Sequence, residues 1–252
     1  MMIAMSIITD TQINLRNSMG EIMEYKNIRQ AKFICRPNRF ISHIEIDGKI
    51  EICHVKNTGR CKELLVPGAV IFVQEFNIKT RKTKYDLISV YKGNRLINID
   101  SQVPNKVFHE WLLNGNLVEN ITSITSIKPE SKYRNSRFDF YIETVDNRRI
   151  FIEVKGVTLE ENGVVLFPDA PTERGIKHIT ELCHCMNEGY EAYIVFVIQM
   201  KDVLYFTPNI KTHKAFGDAL KAAKEQGAEI IALDTLVTES SITAGDFVEV
   251  RL

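Results

Sequence analysis

The sequence predicts a mixed α and β protein in two parts, a small β-barrel followed by a mixed sheet with helices. Short strand patterns with turns between them fill residues 24–100, and helical spacing of apolar residues begins only after that segment. A continuous apolar run at 191–199 is typical of a strand that is buried on both faces of an α/β sheet. We therefore expect an N-terminal extension over 1–23, a barrel over 24–100 and an α/β domain over 101–252.

The barrel is predicted from six short strand patterns and two turn dipeptides. The turns are Asp47-Gly48 and Pro67-Gly68, and one short helical piece is expected near 60–65. Roughly five strands in a segment of this size are typical of an OB-fold, a barrel that often binds nucleic acid. The predicted strands are 31–36, 40–47, 49–55, 69–75, 85–91 and 95–99.

The second part alternates strands with helices, which predicts an α/β domain with a mixed sheet. A helix is expected at 105–114, and Pro171 is expected to begin a second helix that ends near Asn187. Asp146-Asn147 predicts the turn of a β-hairpin. The remaining predicted elements are strands at 137–144, 149–158, 163–167, 191–199, 203–206 and 228–233, and a helix at 212–226.

The composition is that of a globular protein, but its charge is unevenly distributed. The 252 residues are 44% hydrophobic and 25% charged, and the formal net charge is zero. Residues 24–100 hold 15 Lys and Arg against 8 Asp and Glu, whereas residues 101–252 hold 16 against 22. A basic half beside an acidic half suits a polyanion-binding surface joined to a metal site, and it equally fits two domains that attract each other.

Neither membrane insertion nor a disulfide framework is expected from the sequence. No segment approaches the ~20 apolar residues that a membrane-spanning helix needs. The five cysteines are an odd number without regular spacing, so we expect reduced thiols and a cytoplasmic location.

The spacing Asp139…Glu153-x-Lys155 is the first candidate for chemistry. Each acid lies in an apolar run that predicts a strand, and Glu153 and Lys155 should share one face because strand residues alternate. Carboxylates among core residues are costly to desolvate, and a divalent cation such as Mg²⁺ would compensate. A lysine beside that metal could orient or deprotonate an attacking water. The alternative is an edge strand with a solvated polar face.

A second candidate site is the segment 167–178, where polar and charged residues surround the predicted start of a helix. The free amides and partial positive charge of a helix N-terminus suit phosphate. Asp169 could be a third metal carboxylate or the anchor of an arginine. The alternative is a capping sequence with solvated charges. The other residues concerned are Thr172, Arg174, Lys177 and His178.

Two basic segments in the barrel part are candidates for binding the backbone of DNA. The segment 54–62 (HVKNTGRCK) combines several cations with small hydrogen-bonding residues, and 36–40 (RPNRF) places two arginines beside an aromatic residue. Solvated surface charge is the alternative for either segment alone, so their joint occurrence is what favours binding. The cations concerned are Arg36, Arg39, Lys56, Arg60 and Lys62.

Taken together, these segments resemble the sugar fermentation stimulation protein A family. The resemblance covers roughly residues 24–250. It implies an OB-like N-terminal domain, a C-terminal domain resembling PD-(D/E)XK nucleases, non-specific DNA binding and a proposed regulatory link to sugar (maltose) metabolism. The matching motifs, in family order, are 36–40 (RPNRF), 57–60 (NTGR), 136–140 (SRFDF), 151–155 (FIEVK), 167–178 (FPDAPTERGIKH) and 206–209 (FTPN).

The resemblance also implies roles for individual residues. In the nuclease superfamily pattern, the metal-binding acids fall on Asp139 and Glu153, and the catalytic lysine falls on Lys155. The first-helix carboxylate of that pattern matches Glu110 only loosely. Phe138 stands where the pattern has proline, and this departure leaves the chemistry intact because proline is not a ligand.

The residues and the resemblance predict a Mg²⁺- or Mn²⁺-dependent phosphodiesterase that binds DNA without sequence preference. Asp139, Glu153 and the backbone carbonyl of Val154 would hold the metal, and Lys155 would position the water. The alternative is a DNA-binding regulator of sugar metabolism that retains a nuclease-like fold without cutting. The scissile phosphate would be held by Arg174, Lys177 and His178.

Overall fold

A barrel sheet, a larger mixed sheet and a small third sheet form the described part of the protein. Apart from Met23, the predicted extension over 1–23 lies outside the described residues, and so does Thr58 of the basic segment 54–62. The computed structural model describes residues 23–57, 59–115, 121 and 123–252.

Sixteen strands and three α-helices lie within the described residues. The strands are β1 (Met23–Glu24), β2 (Ile28–Asn38), β3 (Ile41–Ile46), β4 (Lys49–Val55), β5 (Val70–Glu75), β6 (Tyr85–Lys92), β7 (Arg95–Asn98), β8 (Ile124–Tyr133), β9 (Ser136–Thr144), β10 (Arg149–Val157), β11 (Leu159–Glu161), β12 (Val164–Phe167), β13 (Glu191–Ile198), β14 (Tyr205–Pro208), β15 (Glu229–Val237) and β16 (Ser241–Val248). The helices are α1 (Val103–Leu113), α2 (Glu173–Met186) and α3 (Ile210–Glu225).

The first sheet closes into the OB-like barrel that the strand spacing predicts. Its order is β4-β3-β2-β5-β6-β7, and a parallel pairing of β4 with β6 closes five of these strands into a ring. Side chains alternate between interior and surface, so Ser42, Ile44 and Ile46 of β3 are buried while their neighbours are not. The predicted barrel is confirmed, with β7 as an additional strand on β6.

The second sheet is mixed, as predicted. Its order is β1-β16-β15-β13-β10-β9-β8, with β10, β13 and β15 parallel and antiparallel strands on both sides. β13 lies at the centre and is buried from Ala192 to Ile198. Helix α1 packs on the face that includes Ile152, whereas α2 and α3 pack on the face that includes Phe151 and Phe196. Neighbouring residues of β10 therefore point toward different helices.

Several element boundaries differ from the sequence-based prediction. The second helix begins at Glu173 rather than at Pro171, because Thr172 is its N-cap. Strands β8 and β16 were not predicted, since both are rich in polar residues. β8 is an edge strand, where Pro129 is tolerated because one side of the strand needs no ladder partner. Glu24, which the sequence places in the barrel segment, pairs with Ser241 in the larger sheet.

The barrel and the second domain meet at a buried polar cluster around Asp100, which is 2% exposed. Asp100 Oδ2 accepts a hydrogen bond from Lys56 Nζ at 2.8 Å and lies 3.5 Å from the Tyr25 hydroxyl. From the second domain, Gln199 Nε2 donates to the Asp100 carbonyl at 3.1 Å. Burial and the charge of Asp100 raise the pKa of Tyr25, so this hydroxyl remains a neutral donor.

None of the helices in the described residues combines the length and the apolar character that crossing a membrane would require.

We expect Asp100→Asn to lower the free energy of unfolding by about 3 kcal/mol, the low end for a broken buried pair, because the Lys56 ammonium, only 15% exposed, would lose the nearer of its two carboxylate partners and keep Asp86 at 3.5 Å. Urea unfolding followed by circular dichroism measures this change. The matched control is Asp218→Asn, which breaks the exposed pair of Asp218 with Lys214 and should leave stability nearly unchanged. Equal effects of the two substitutions would contradict a structural role for the cluster.

Candidate active site

The two strands that carry the predicted acids separate at the site. The antiparallel pairing of β9 with β10 ends at the pair Phe140–Ile152. Beyond that pair, Asp139 Oδ2 accepts a hydrogen bond from the backbone N–H of Val154 at 2.7 Å, in place of a ladder carbonyl. Its other oxygen, Oδ1, accepts a hydrogen bond from Asn105 Nδ2 of α1 at 2.6 Å. The Asp139 carboxylate is thus fixed between the diverging strands and the first helix.

The side chain of Glu153 lies on the face of β10 that packs against α2, and it is 3% exposed. Its Oε1 is contacted by His178 Nδ1 at 2.5 Å and forms an ion pair with the ammonium of Lys155. Its Oε2 is buried and has no hydrogen-bond partner in the protein. A buried carboxylate oxygen without a partner is costly, so a ligand from outside the chain would stabilise this atom.

His178 connects Glu153 to the surface of α2. The ring is 7% exposed, and its Nε2 lies 3.4 Å from Arg174 Nε. Because a carboxylate only accepts and a guanidinium only donates, a neutral ring with the proton on Nδ1 satisfies both contacts. His178 was predicted to hold phosphate, but its buried position and these two partners show that it orients the Glu153 carboxylate instead.

The two carboxylates have opposite electrostatic environments. Burial, together with the charge of Glu153, raises the pKa of Asp139, although the Val154 amide and Asn105 partly offset this. Burial would raise the pKa of Glu153 as well, but the His178 hydrogen bond and the Lys155 charge outweigh it and hold that pKa below its ordinary value. The protein itself thus favours the ionised form of Glu153 more than that of Asp139.

The carboxylate oxygens of the site fit a divalent cation, which could be bound by Glu153 Oε2. In the part of the chain that the structure describes, no three or more His, Cys, Asp or Glu residues cluster as a complete ligand set. Two carboxylates are nevertheless enough for Mg²⁺, which keeps several waters and is held by one or two protein carboxylates. Asp139 and Glu153 supply these groups, and the unpartnered Oε2 is the observation that favours a cation here.

Other predicted site residues have structural roles. Thr172 caps α2, because its hydroxyl accepts a hydrogen bond from Gly175 N at 3.0 Å. Asp169 Oδ2 accepts a hydrogen bond from Arg60 N at 2.7 Å and ties the barrel to the second domain, so a role as a third metal ligand stays a prediction. The Glu110 carboxylate accepts a hydrogen bond from Met23 N, and its loose match to the nuclease pattern also stays a prediction.

Sequence reasoning missed Asn105, which is the α1 residue that contacts Asp139. The prediction of a helix at 105–114 included this residue but gave it no role. The only signal in the sequence is an amide side chain in the first turn of a helix that precedes the paired acids. That signal is weak, because asparagine is common near helix ends for local reasons.

The basic segments of the barrel line a cavity of about 510 Å³, called here the basic groove, whose walls include Arg36, Arg39, Arg60 and Lys62. Arg39, Arg60 and Lys62 are exposed there. Arg36 instead donates hydrogen bonds to the carbonyls of Asn57 at 2.6 Å, Gly59 at 2.8 Å, Arg60 at 3.0 Å and Arg39 at 2.6 Å. Its guanidinium therefore shapes the groove.

Lys56 was predicted to bind DNA, and the structure corrects this. Its ammonium is paired with Asp100 and lies 3.5 Å from Asp86, and its side chain is only 15% exposed. A lysine that neutralises buried carboxylates is not available to phosphate.

Comparison with family models identifies both parts of the chain. Residues 34–99 match the SfsA N-terminal OB domain, and residues 102–241 match the sugar fermentation stimulation protein RE domain. The chain belongs to the SfsA family. These matches confirm the predicted family and the predicted OB-like barrel, and the second matched region corresponds to the mixed-sheet domain. Asp100 lies between the two matched regions of this SfsA chain, and its partners Lys56 and Gln199 come one from each region.

Similar proteins span nearly the whole chain. A sugar fermentation stimulation protein homolog from Desulfitobacterium hafniense is 66% identical over 230 residues, which are 91% of this chain and 99% of the relative. A homolog from Clostridium beijerinckii is 63% identical and covered completely. The solved structure of Pyrococcus furiosus SfsA in complex with Ca²⁺ is 29% identical, with a TM-score of 0.82, and the match covers 92% of this chain and all of that one.

We expect His178→Ala to lower the free energy of unfolding of this SfsA protein by about 2 kcal/mol, because the buried Oε1 of Glu153 would lose a hydrogen bond. Chemical denaturation measures the effect. His178→Asn, which can place a donor near the position of Nδ1, should recover part of the loss. The matched control on the same helix is His184→Ala, at an exposed position, and it should change little. If both alanine variants behaved alike, the orienting role of His178 would be wrong.

Proposed function

We propose that this SfsA protein is a divalent-metal-dependent phosphodiesterase that binds DNA through its phosphate backbone. The observation that carries the proposal is the buried carboxylate of Glu153, with Oε1 held by His178 and Lys155 and Oε2 left without a protein partner. Asp139 stands beside it at the point where β9 and β10 separate. Such an arrangement is suited to hold a cation rather than to stabilise the fold.

Asp139 and Glu153, with the backbone carbonyl of Val154, are the groups that would hold Mg²⁺ or Mn²⁺. The bound ion would neutralise charge on a phosphate and lower the pKa of a water molecule. The Pyrococcus furiosus relative was solved in complex with Ca²⁺, which, like Mg²⁺, takes oxygen ligands. That relative supports a divalent cation in this family without identifying the ligands in this chain.

The side chains of the chain itself provide the remaining functions. Lys155 lies on the same face of β10 as Glu153 and is held by it, so its ammonium is positioned to orient a water or to neutralise a phosphate oxygen. Arg174 and Lys177 are exposed in the first two turns of α2, on the surface above His178. They supply positive charge for the phosphates on either side of the cleaved bond.

The basic groove would hold the DNA away from the site of cleavage. Arg39, Arg60 and Lys62 are exposed cations on one face of the barrel, and the Arg60 amide is bonded to Asp169 just before α2. This contact links the wall of the groove to the segment just before α2. Cations that contact phosphates carry little sequence information, so discrimination between DNA sequences should be weak.

We expect purified protein to cleave single- or double-stranded DNA in Mg²⁺ or Mn²⁺, and Lys155→Met to reduce the single-turnover rate by about 10²–10⁴-fold. Mn²⁺ should raise the melting temperature of the wild type and of Lys155→Met but not that of Glu153→Gln. The control Lys132→Met, at an exposed position on β8, should cleave normally. DNA binding without cleavage in either metal would favour the alternative, a non-cutting regulator of sugar metabolism.

We expect the paired substitutions Arg60→Ala and Lys62→Ala to weaken DNA binding and to reduce the slope of log K against log salt by about 1.4–1.8, since two phosphate contacts would be lost. Fluorescence anisotropy at several salt concentrations measures the slope. Lys26→Ala with Lys49→Ala removes two exposed cations of the same chain segment outside the groove and is the control. An unchanged slope in the groove variant would show that DNA binds elsewhere.

A further inference from the structure

A second cavity, of about 180 Å³, lies between the barrel and the end of β10. The barrel contributes Asn57, the connection between the domains contributes Ser101, and the second domain contributes Thr158, Asp169 and Gln199. The size is well below the ~300–1,000 Å³ of sites for drug-sized ligands, so the cavity has room for one small ring system.

The lining of this cavity is polar but almost uncharged. It offers the amides of Asn57 and Gln199, the hydroxyls of Ser101 and Thr158, and the carboxylate of Asp169. Neither Lys nor Arg is present among the described residues that line it, so a phosphate would find no counter-charge there. Phe167 and two leucines complete the walls. Acceptors predominate, because Gln199 Nε2 and the Ser101 hydroxyl already donate inside the protein, and acceptors between apolar walls suit the faces of a nucleobase and an edge that carries an N–H donor.

The polar groups of the cavity are held in fixed orientations. Both amide hydrogens of Gln199 are committed, because Nε2 donates to Asn98 Oδ1 at 3.0 Å and to the Asp100 carbonyl at 3.1 Å. Its acceptor Oε1 consequently faces Gly156, where a Cβ atom would lie only 2.6 Å from it. Gly59 is equally close to Asp169, since a Cβ there would lie 2.5 Å from Oδ2. The two glycines allow the walls to approach this closely.

The cavity lies beside the proposed active site. Gly156 follows Lys155 directly, and Thr158 is three residues farther along the chain, within about 10 Å at the rise of an extended strand. We propose that the cavity receives one unstacked base of the nucleic acid whose phosphate lies at Glu153 and Lys155. This inference rests on the proposed function and specifies its substrate: a strand with a free base, because extracting a base from a duplex breaks its stacking and pairing.

The test compares two ligands of equal backbone charge, oligothymidylate and an oligomer of abasic sites, by anisotropy with Glu153→Gln protein to prevent cleavage. Ser101 is exposed at the cavity, so Ser101→Phe should obstruct it. We expect this substitution to weaken oligothymidylate binding by about tenfold and to leave binding of the abasic oligomer unchanged. Gln102 is a neighbouring exposed residue, and the control Gln102→Phe should leave the binding of both ligands unchanged. Equal loss for both ligands, or no loss, would overturn the inference.

A second measurement separates this inference from the proposed function. Saturation-transfer NMR with free thymidine reports on the cavity alone, and its signal should be lost in Ser101→Phe. Thymidine binding without DNA binding would support the cavity and contradict the phosphodiesterase. DNA cleavage without Ser101-dependent thymidine binding would support the phosphodiesterase and contradict the proposed base-binding cavity. If Ser101→Phe failed to fold, Thr158→Val would replace it, and unchanged thymidine binding in that variant would equally overturn the proposal.

Discussion

The hydrogen bond from the Val154 amide to the Asp139 carboxylate is the contact around which the candidate active site is arranged. A ladder that ends inside a domain leaves backbone groups without partners, and Val154 is only 6% exposed. By accepting from this amide, Asp139 allows β9 to leave β10 without an unsatisfied donor. The same carboxylate also fixes Asn105 of α1. The opening between the strands and the position of the first helix thus depend on one side chain.

The two acids come from neighbouring strands, Asp139 from β9 and Glu153 from β10, and they have different surroundings. Glu153 points toward α2, where His178 and Lys155 stabilise its charge, whereas Asp139 is held by neutral donors and repelled by Glu153. A site of this kind has one acid that is ionised by its protein partners and a second whose charge is best stabilised by a cation. This asymmetry is the physical reason that the pair is poorly explained as a structural ion cluster.

The sequence was sufficient for the contacts that depend on alternation along one strand. Glu153 and Lys155 were expected on one face, and their side chains are in contact. It was insufficient wherever a partner comes from a distant part of the chain. A lysine in a basic segment looks the same whether it is solvated or, like Lys56, paired with Asp100 in the interior. Asn105 and the edge strand β8 were missed for a related reason, since neither has a local pattern that distinguishes it.

The hydrogen bonds that Arg36 donates affect the rate and the affinity with which the basic groove can bind a polyanion. Because the Arg36 guanidinium already holds the carbonyls of Arg39, Asn57, Gly59 and Arg60, these four carbonyl groups are oriented before any ligand arrives. The ordering entropy that a flexible loop would lose on association is therefore small here. The carbonyl oxygens that would repel phosphate are turned toward Arg36, so the barrel presents a rigid surface that needs no rearrangement at the moment of encounter.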